Sequence, residues 1–152
     1  LGLLLSVKDA TEVEMVKRAA ILTNKVLKYG FIKKMQEVIE EEETTTHEKL
    51  AQEVQDIIED PSKIKLNVAR DLVESCYFPI VQSGGHYQLK ASAQSDERNL
   101  SYDVILCSMG ARYKSYCANV SRSFFINPPK KVGVSSRPIP SHSARLTPAI
   151  TP

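Results

Sequence analysis

Cysteine is scarce in this chain: only Cys76, Cys107 and Cys117 occur among 152 residues. An odd number with no close pair argues against a disulfide framework and against a zinc site. It suits a reducing compartment, the cytosol or the nucleus, and all three read as small apolar residues inside strands. Strong charge of either sign is missing too. A net charge of +2 predicts no general attraction to nucleic acid or to a membrane, and the Lys and Arg residues read as a solvated surface. No apolar run is long enough to cross a bilayer, the opening LGLLLS included. That opening lacks the basic region and cleavage site of a signal peptide. Without an initial Met it reads as the start of a fragment of a longer nuclear or cytosolic protein. There is no Gly-x-Ser-x-Gly elbow, no phosphate-cradling glycine loop and no internal repeat.

What is present is the composition of a globular domain, 42% hydrophobic and 25% charged, in a chain long enough to bury a core. The first helix is expected in VKDATEVEMVKRAAILTNKVLKYG, with Asp9 as its cap and Glu12 at capping-box spacing. Val13, Val16, Ala20 and Leu27 form its apolar face, and Gly30 its stop. A second helix follows in FIKKMQEVIEEEE, with Phe31, Met35, Val38 and Ile39 on one side; the acidic run Glu40 to Glu43 is a solvated face or end. A third starts at Thr45, with Glu48 at capping-box spacing, buries Leu50, Val54, Ile57 and Ile58, and ends at Pro61.

The period then changes. Ile64, Leu66 and Val68 alternate with polar residues, as in a half-buried strand. SCYFPIVQSGG reads as a strand running into a turn at Gly84 and Gly85, HYQLKA as a short strand, and SAQSDERN as a polar loop. YDVILCSMG and ARYKSYCANVSRSFFI supply a buried strand and the legs of a meander. Three helices followed by four or five strands predict an α+β fold, with helices packed on one face of a curved antiparallel sheet. The segment 128–152, rich in Pro and Ser, reads as a disordered tail; its PPKK is a weak nuclear-targeting signal.

Candidate chemistry concentrates in residues 105–125. Ser108 and Asn119 lie eleven residues apart on neighbouring legs of the meander, where two side chains could meet across a hairpin. Elsewhere, Ser83 and His86 are close in sequence, and Asp96 or Asp103 could orient a base; such closeness does not supply the geometry of a triad. His86 reads as exposed in its turn. His47 and His142 suggest no ligand cluster.

The run Ser108-Met109-Gly110, Tyr116, then Ala118-Asn119-Val120-Ser121-Arg122-Ser123-Phe124 resembles the pita-bread fold of proline-specific and methionine aminopeptidases and creatinase. That family carries Asp-x-Gly, a tyrosine-containing segment and Ser-Asp-x-Thr-Arg-Thr at the same spacing. The resemblance implies that both metal-binding aspartates are replaced, by Ser108 and Asn119. A two-metal hydrolase holds its ions about 3.5–4 Å apart, and hard or borderline cations there need carboxylates or imidazoles. A hydroxyl and an amide remove two negative charges. The family's substrate-binding His falls at or near Ala91, and its remaining His and Glu ligands lie in a second half of the domain not found here.

PIVQSGG and the 102–126 segment further resemble the family of large subunits of the FACT histone chaperone, as do VKDATEVEMVKRAA and THEKLAQEVQDIIEDPSKIKL, over about residues 3 to 127 and with a plant-like character. The resemblance implies the first half of a pita-bread domain at 1–127 and no enzymatic activity, metal or cofactor. It also implies a role in nucleosome disassembly and reassembly during transcription, replication and repair, in the nucleus on the chromosome. Its partners would be core histones, chromatin and, through regions absent here, a smaller high-mobility-group-type subunit; no membrane is implied. Groove candidates for histone peptides are Ser83, Gly84, Ser108, Asn119 and Arg122. Each also has a structural reading: Ser108 and Asn119 satisfying backbone groups, Arg122 pairing with an acid, Tyr113 and Tyr116 half-buried in the sheet. The alternatives are a fragment of an active metal-dependent X-Pro aminopeptidase and a peptide-binding adaptor unrelated to chromatin. Half a domain leaves a sheet edge and an apolar face uncovered, so the fragment alone is expected to be marginally stable or aggregation-prone.

Overall fold

The computed structural model describes residues 7–90 and 92–126 and the backbone of Thr147–Pro148. The opening LGLLLS, the Ala91 position and all of the 128–152 tail except that dipeptide lie outside the described residues.

Helix α1 (Ala10–Lys25) starts where the sequence places it. Asp9 Oδ1 accepts from the Glu12 backbone N–H at 2.8 Å, and Glu12 Oε2 accepts from the Asp9 N–H at 2.9 Å, so two otherwise unpaired donors are satisfied reciprocally. Its inward face differs from the expected one. Ala19, Leu22 and Thr23 are buried, whereas Val13 and Val16 are 39% and 37% exposed; of the four residues expected inside, only Leu27 is buried and Ala20 half-buried. Gly30 is not a stop. The chain continues as a π-helical segment (Val26–Phe31) directly into α2 (Ile32–Glu40). The extra residue per turn rotates the face, so that Val26 and Phe31 as well as Met35 and Val38 point inward. A methyl group at Gly30 would stand 3.2 Å from Ile57 Cδ1, so the glycine permits the close approach of the next helix.

That helix, α3 (His47–Glu59), is capped by Thr46 rather than Thr45; the Thr46 hydroxyl accepts from Lys49 N–H at 3.1 Å. Thr45 is buried, and its carbonyl accepts from Leu100 N–H at 2.8 Å. Leu50, Val54 and Ile58 are buried as expected. The alternating segment after Pro61 is not a strand. Pro61–Ile64 is a 3₁₀ turn, Lys65 takes φ 60° in the left-handed region, and a second 3₁₀ turn covers Arg70–Leu72. Ile64, Leu66 and Val68 still pack against the core: the alternation reported burial, and among the described residues no neighbouring strand lies there to pair with.

The sheet follows. Strands β1 (Val73–Ser75) and β2 (Ile80–Gln82) both pair antiparallel with β3 (Val104–Tyr113), which pairs along its whole length with β4 (Tyr116–Phe125). Phe124 and Phe125 pair in turn with β5 (Thr147–Pro148). Residues 86–90, expected as a strand, have no ladder; Gln88 is held by the Gln82 side chain instead. The helices cover one face of the sheet. Ile105, Met109, Ala111 and Phe124 meet Leu22, Val26, Phe31 and Leu50 in one core, with the Phe31 and Phe124 rings 5.8 Å apart and tilted. Thr23 joins helix to sheet: its buried hydroxyl lies 2.8 Å from Ala19 O and 3.1 Å from Ala118 O, and accepts from Ala111 N–H at 3.2 Å. Among the described residues no helix is long and apolar enough to cross a membrane.

Candidate functional site

The β3–β4 hairpin closes through Lys114 and Ser115, both at positive φ (46° and 73°), as a tight two-residue turn that matches strand twist requires. With that register fixed, side chains alternate strictly between the two faces. Cys107, Met109 and Ala111 stand opposite Arg122, Val120 and Ala118, and this set faces the helices. Ser108, Gly110 and Arg112 stand opposite Ser121, Asn119 and Cys117 on the other face, where Cys117, Asn119 and Ser121 are exposed. Ser108 and Asn119 therefore share the open face, as diagonal neighbours rather than as a directly opposed pair.

Ser108 is already committed. Its Oγ lies 2.7 Å from the Tyr77 hydroxyl and accepts from the Ser121 hydroxyl at 2.8 Å. Burial raises the Tyr77 pKa, so that phenol stays protonated and adds no charge. Asn119 lays its amide over Gly110, so closely that a Cβ on that glycine would overlap Asn119 Oδ1. Toward β1, Arg112 Nη1 bonds Glu74 at 3.1 Å. Among the described residues Arg112 Nε is buried without an acceptor, and the Cys117 sulfur lies beside the guanidinium.

The cysteines depart from expectation. Only Cys107 is a buried strand residue, and burial pushes its thiol up to about 12. Cys117 is exposed, and Cys76 lies just past β1. Forty-one residues apart in sequence, Cys76 and Cys117 meet on the open face; burial first and the Cys117 thiol second push Cys76 up to about 11.

Two of the expected groove residues are elsewhere. Arg122 opposes Cys107 on the helix-side face, where its Nη1 bonds Ser121 O at 2.9 Å. Ser83 is 2% exposed and turned toward α3. Gly84, at φ 71° in its turn, donates its N–H to Asp103 Oδ1 at 3.3 Å. His86 is exposed.

Ser83 and Asp96, weighed in the sequence beside His86, do come together, but around His47 instead. His47, 2% exposed at the first turn of α3, places Nδ1 2.6 Å from Asp96 Oδ1 and Nε2 2.7 Å from Ser83 Oγ. The carboxylate accepts a hydrogen bond from Nδ1–H, which in the neutral imidazole leaves Nε2 to accept from the Ser83 hydroxyl. Ser83 Oγ in turn accepts Ser101 N–H at 2.8 Å. Bonds to Arg98 first, with His47 adding to them, hold Asp96 down at about 2. The residue types and order are those of a hydrolytic triad, yet Ser83 is enclosed and its oxygen is spent on a backbone donor. The relay ties the start of α3 to β2 and to the 95–101 segment, beside the backbone bonds His47 N–H to Arg98 O and Glu48 N–H to Asp96 O. No sequence spacing signals it, because its members come from three separate segments.

The donor set does not suit a pair of metal ions. Ser108 offers a hydroxyl inside a hydrogen-bonded trio, and Asn119 a neutral amide packed on a glycine. Among the described residues no three His, Cys, Asp or Glu side chains converge on a metal-sized site.

Residues 14–136 match the model of metallopeptidase family M24, so the match runs past Asn127. FACT complex subunit SPT16 of maize is 43% identical over 127 residues, 82% of this chain and 12% of the maize protein; its Dictyostelium discoideum counterpart is 43% identical over 124 residues. The chain thus spans about an eighth of the curated relatives it matches. The N-terminal domain of chickpea FACT complex subunit SPT16 superposes with a TM-score of 0.78 at 43% identity, over 81% of this chain and 30% of that one. The X-Pro aminopeptidase of Thermotoga maritima shares the fold, with a TM-score of 0.62 at 22% identity over 83% of this chain and 32% of that one. Its helices, its antiparallel sheet and the matched residues together make this chain a member of metallopeptidase family M24, built on the pita-bread fold.

Proposed function

We propose that this chain is part of a non-catalytic FACT subunit of the SPT16 kind, acting in nucleosome disassembly and reassembly during transcription, replication and repair. In this reading the protein works in the nucleus on chromosomes, with core histones and a smaller high-mobility-group-type subunit as partners. The observation that carries the loss of catalysis is the fate of the two aspartate positions. Ser108 is locked between Tyr77 and Ser121, and Asn119 rests on Gly110. Neither supplies the anionic oxygens that two closely spaced dications require. The open sheet face retains hydrogen-bonding side chains suited to polypeptide, and the groove reading narrows to Ser108 and Asn119. Ser83 and Arg122 leave it, because the relay with His47 and the strand alternation turn them away, and so does Gly84, whose N–H is given to Asp103 in its turn.

The test uses the full-length protein. Core histones should be retained in a pull-down, and X-Pro peptides should not be cleaved after addition of manganese or cobalt. Turnover that a chelator abolishes would instead establish the aminopeptidase alternative.

A further inference from the structure

On the helix side of the sheet, a cleft of about 300 Å³ runs between α1 and the segment after the first 3₁₀ turn. Arg18, Ile21, Leu22 and Lys25 line its α1 wall; spaced i, i+3, i+4 and i+7, they share one face of the helix. Leu66 and Val68 line the opposite wall, and Tyr113 at the end of β3 closes the floor. Ile21 is 55% exposed. A single exposed isoleucine means little, but this one faces a half-buried leucine and valine across a hollow wide enough for a large apolar side chain.

Two cations stand on the same wall. Lys25 is exposed and makes no ion pair among the described residues. Arg18 bonds Glu14 at 3.1 Å and the Tyr113 hydroxyl at 3.3 Å, which leaves part of its five-donor fork for a further acceptor. Apolar walls with basic groups beside them complement a polypeptide that carries an apolar side chain between carboxylates. Nucleic acid fits less well. The Tyr113 ring is 7% exposed and lies under the Arg18 guanidinium, 5.8 Å from its centroid, so it offers no face on which a base could stack.

We propose that this cleft docks an acidic segment of a partner protein, which seats one large apolar side chain between Ile21 and Val68 and pairs its flanking carboxylates with Lys25 and Arg18. This goes beyond the reading above: basic histone segments carry the wrong charge for the cleft, and its occupancy does not bear on the open sheet face.

Three fluorescein-labelled peptides of equal length are titrated against the full-length protein by fluorescence polarisation. The first interleaves Glu and Asp with Leu and Phe, the second has Ser for each Leu and Phe, and the third has Lys for each acid. The first should bind, and should weaken about 5- to 20-fold between about 50 and about 300 mM salt, where exposed charge–charge attraction is screened. The serine peptide should bind at least about tenfold more weakly, having no side chain to bury, and the lysine peptide should not bind here. Ile21→Ser and Lys25→Glu should each weaken the first peptide about 5- to 20-fold. Lys17→Glu, an equal change of net charge at an exposed position outside the cleft, should leave it within about twofold. Ile21 and Lys25 are exposed, so both variants should keep the wild-type thermal transition. The proposal is overturned if the first peptide does not bind, if the serine peptide binds equally well, or if Lys17→Glu weakens binding as much as Lys25→Glu. A fall of several degrees in the Ile21→Ser transition would mean that the rest of the protein already covers the cleft, and would overturn it too. A duplex oligonucleotide whose binding falls with Lys25→Glu and ignores Ile21→Ser would assign the face to nucleic acid instead.

Discussion

Replacing His47 by alanine should open the joint between α3 and the 95–101 segment. The imidazole is 2% exposed and carries two short bonds. Its removal strands the Ser83 hydroxyl in a closed site, at about 1–3 kcal/mol for an unsatisfied buried donor. The bond to Asp96 is worth less than its charge suggests. That carboxylate is 39% exposed and keeps Arg98, so solvent screening leaves about 1 kcal/mol. Together these come to roughly 3 kcal/mol, or about a hundredfold in a local opening equilibrium. Hydrogen exchange in the full-length protein reads this directly, since opening free energy sets amide protection. The reporting amides are those of His47, Glu48, Leu100 and Ser101, whose acceptors are Arg98 O, Asp96 O, Thr45 O and Ser83 Oγ. They should exchange about a hundredfold faster, while amides in the β3–β4 ladder stay as they were. If those four amides change by less than about threefold, the relay is not what holds the segment in place, and the reasoning fails.

The same enclosure predicts that a fluorophosphonate serine probe leaves Ser83 unlabelled in the folded protein; a Ser83 adduct found by mass spectrometry would establish a reactive triad instead. Asp96 titrates at about 2 in the folded state against 3.8 for the free side chain. The depressed value means that its contribution is full above about pH 4 and is lost as pH falls toward 2. Asp96→Asn should flatten that part of the acid-unfolding curve, and an identical acid slope in both proteins would contradict the assignment. Thr23→Val leaves Ala111 N–H without its acceptor and should cost about 1–3 kcal/mol; faster exchange at the Ala111 amide distinguishes this from a general loosening.

Much of the fold is legible in local chemistry. Asp9 and Glu12 announce the start of α1 because a capping box needs only residues three apart. Leu50, Val54 and Ile58 give away the inward face of α3 because a helix that packs on one side repeats its apolar residues at that spacing. Where local reading fails, a distant neighbour decides. Gly30 would end an isolated helix, but Ile57 needs the space and the apolar face continues through Phe31 and Met35. Ile64, Leu66 and Val68 alternate like a strand, yet among the described residues no partner strand lies alongside.

By itself, then, the amino-acid sequence determined the α+β class and the sheet hairpin, since propensity and periodicity are local properties. Only the tertiary structure decided which side chains meet. It seated Asn119 on Gly110, sent Arg122 to the helix side, brought Cys76 beside Cys117 and assembled Ser83, His47 and Asp96 from three segments. The reason is geometric: strand register and helix docking fix contacts between residues tens of positions apart, and no spacing along the chain encodes them.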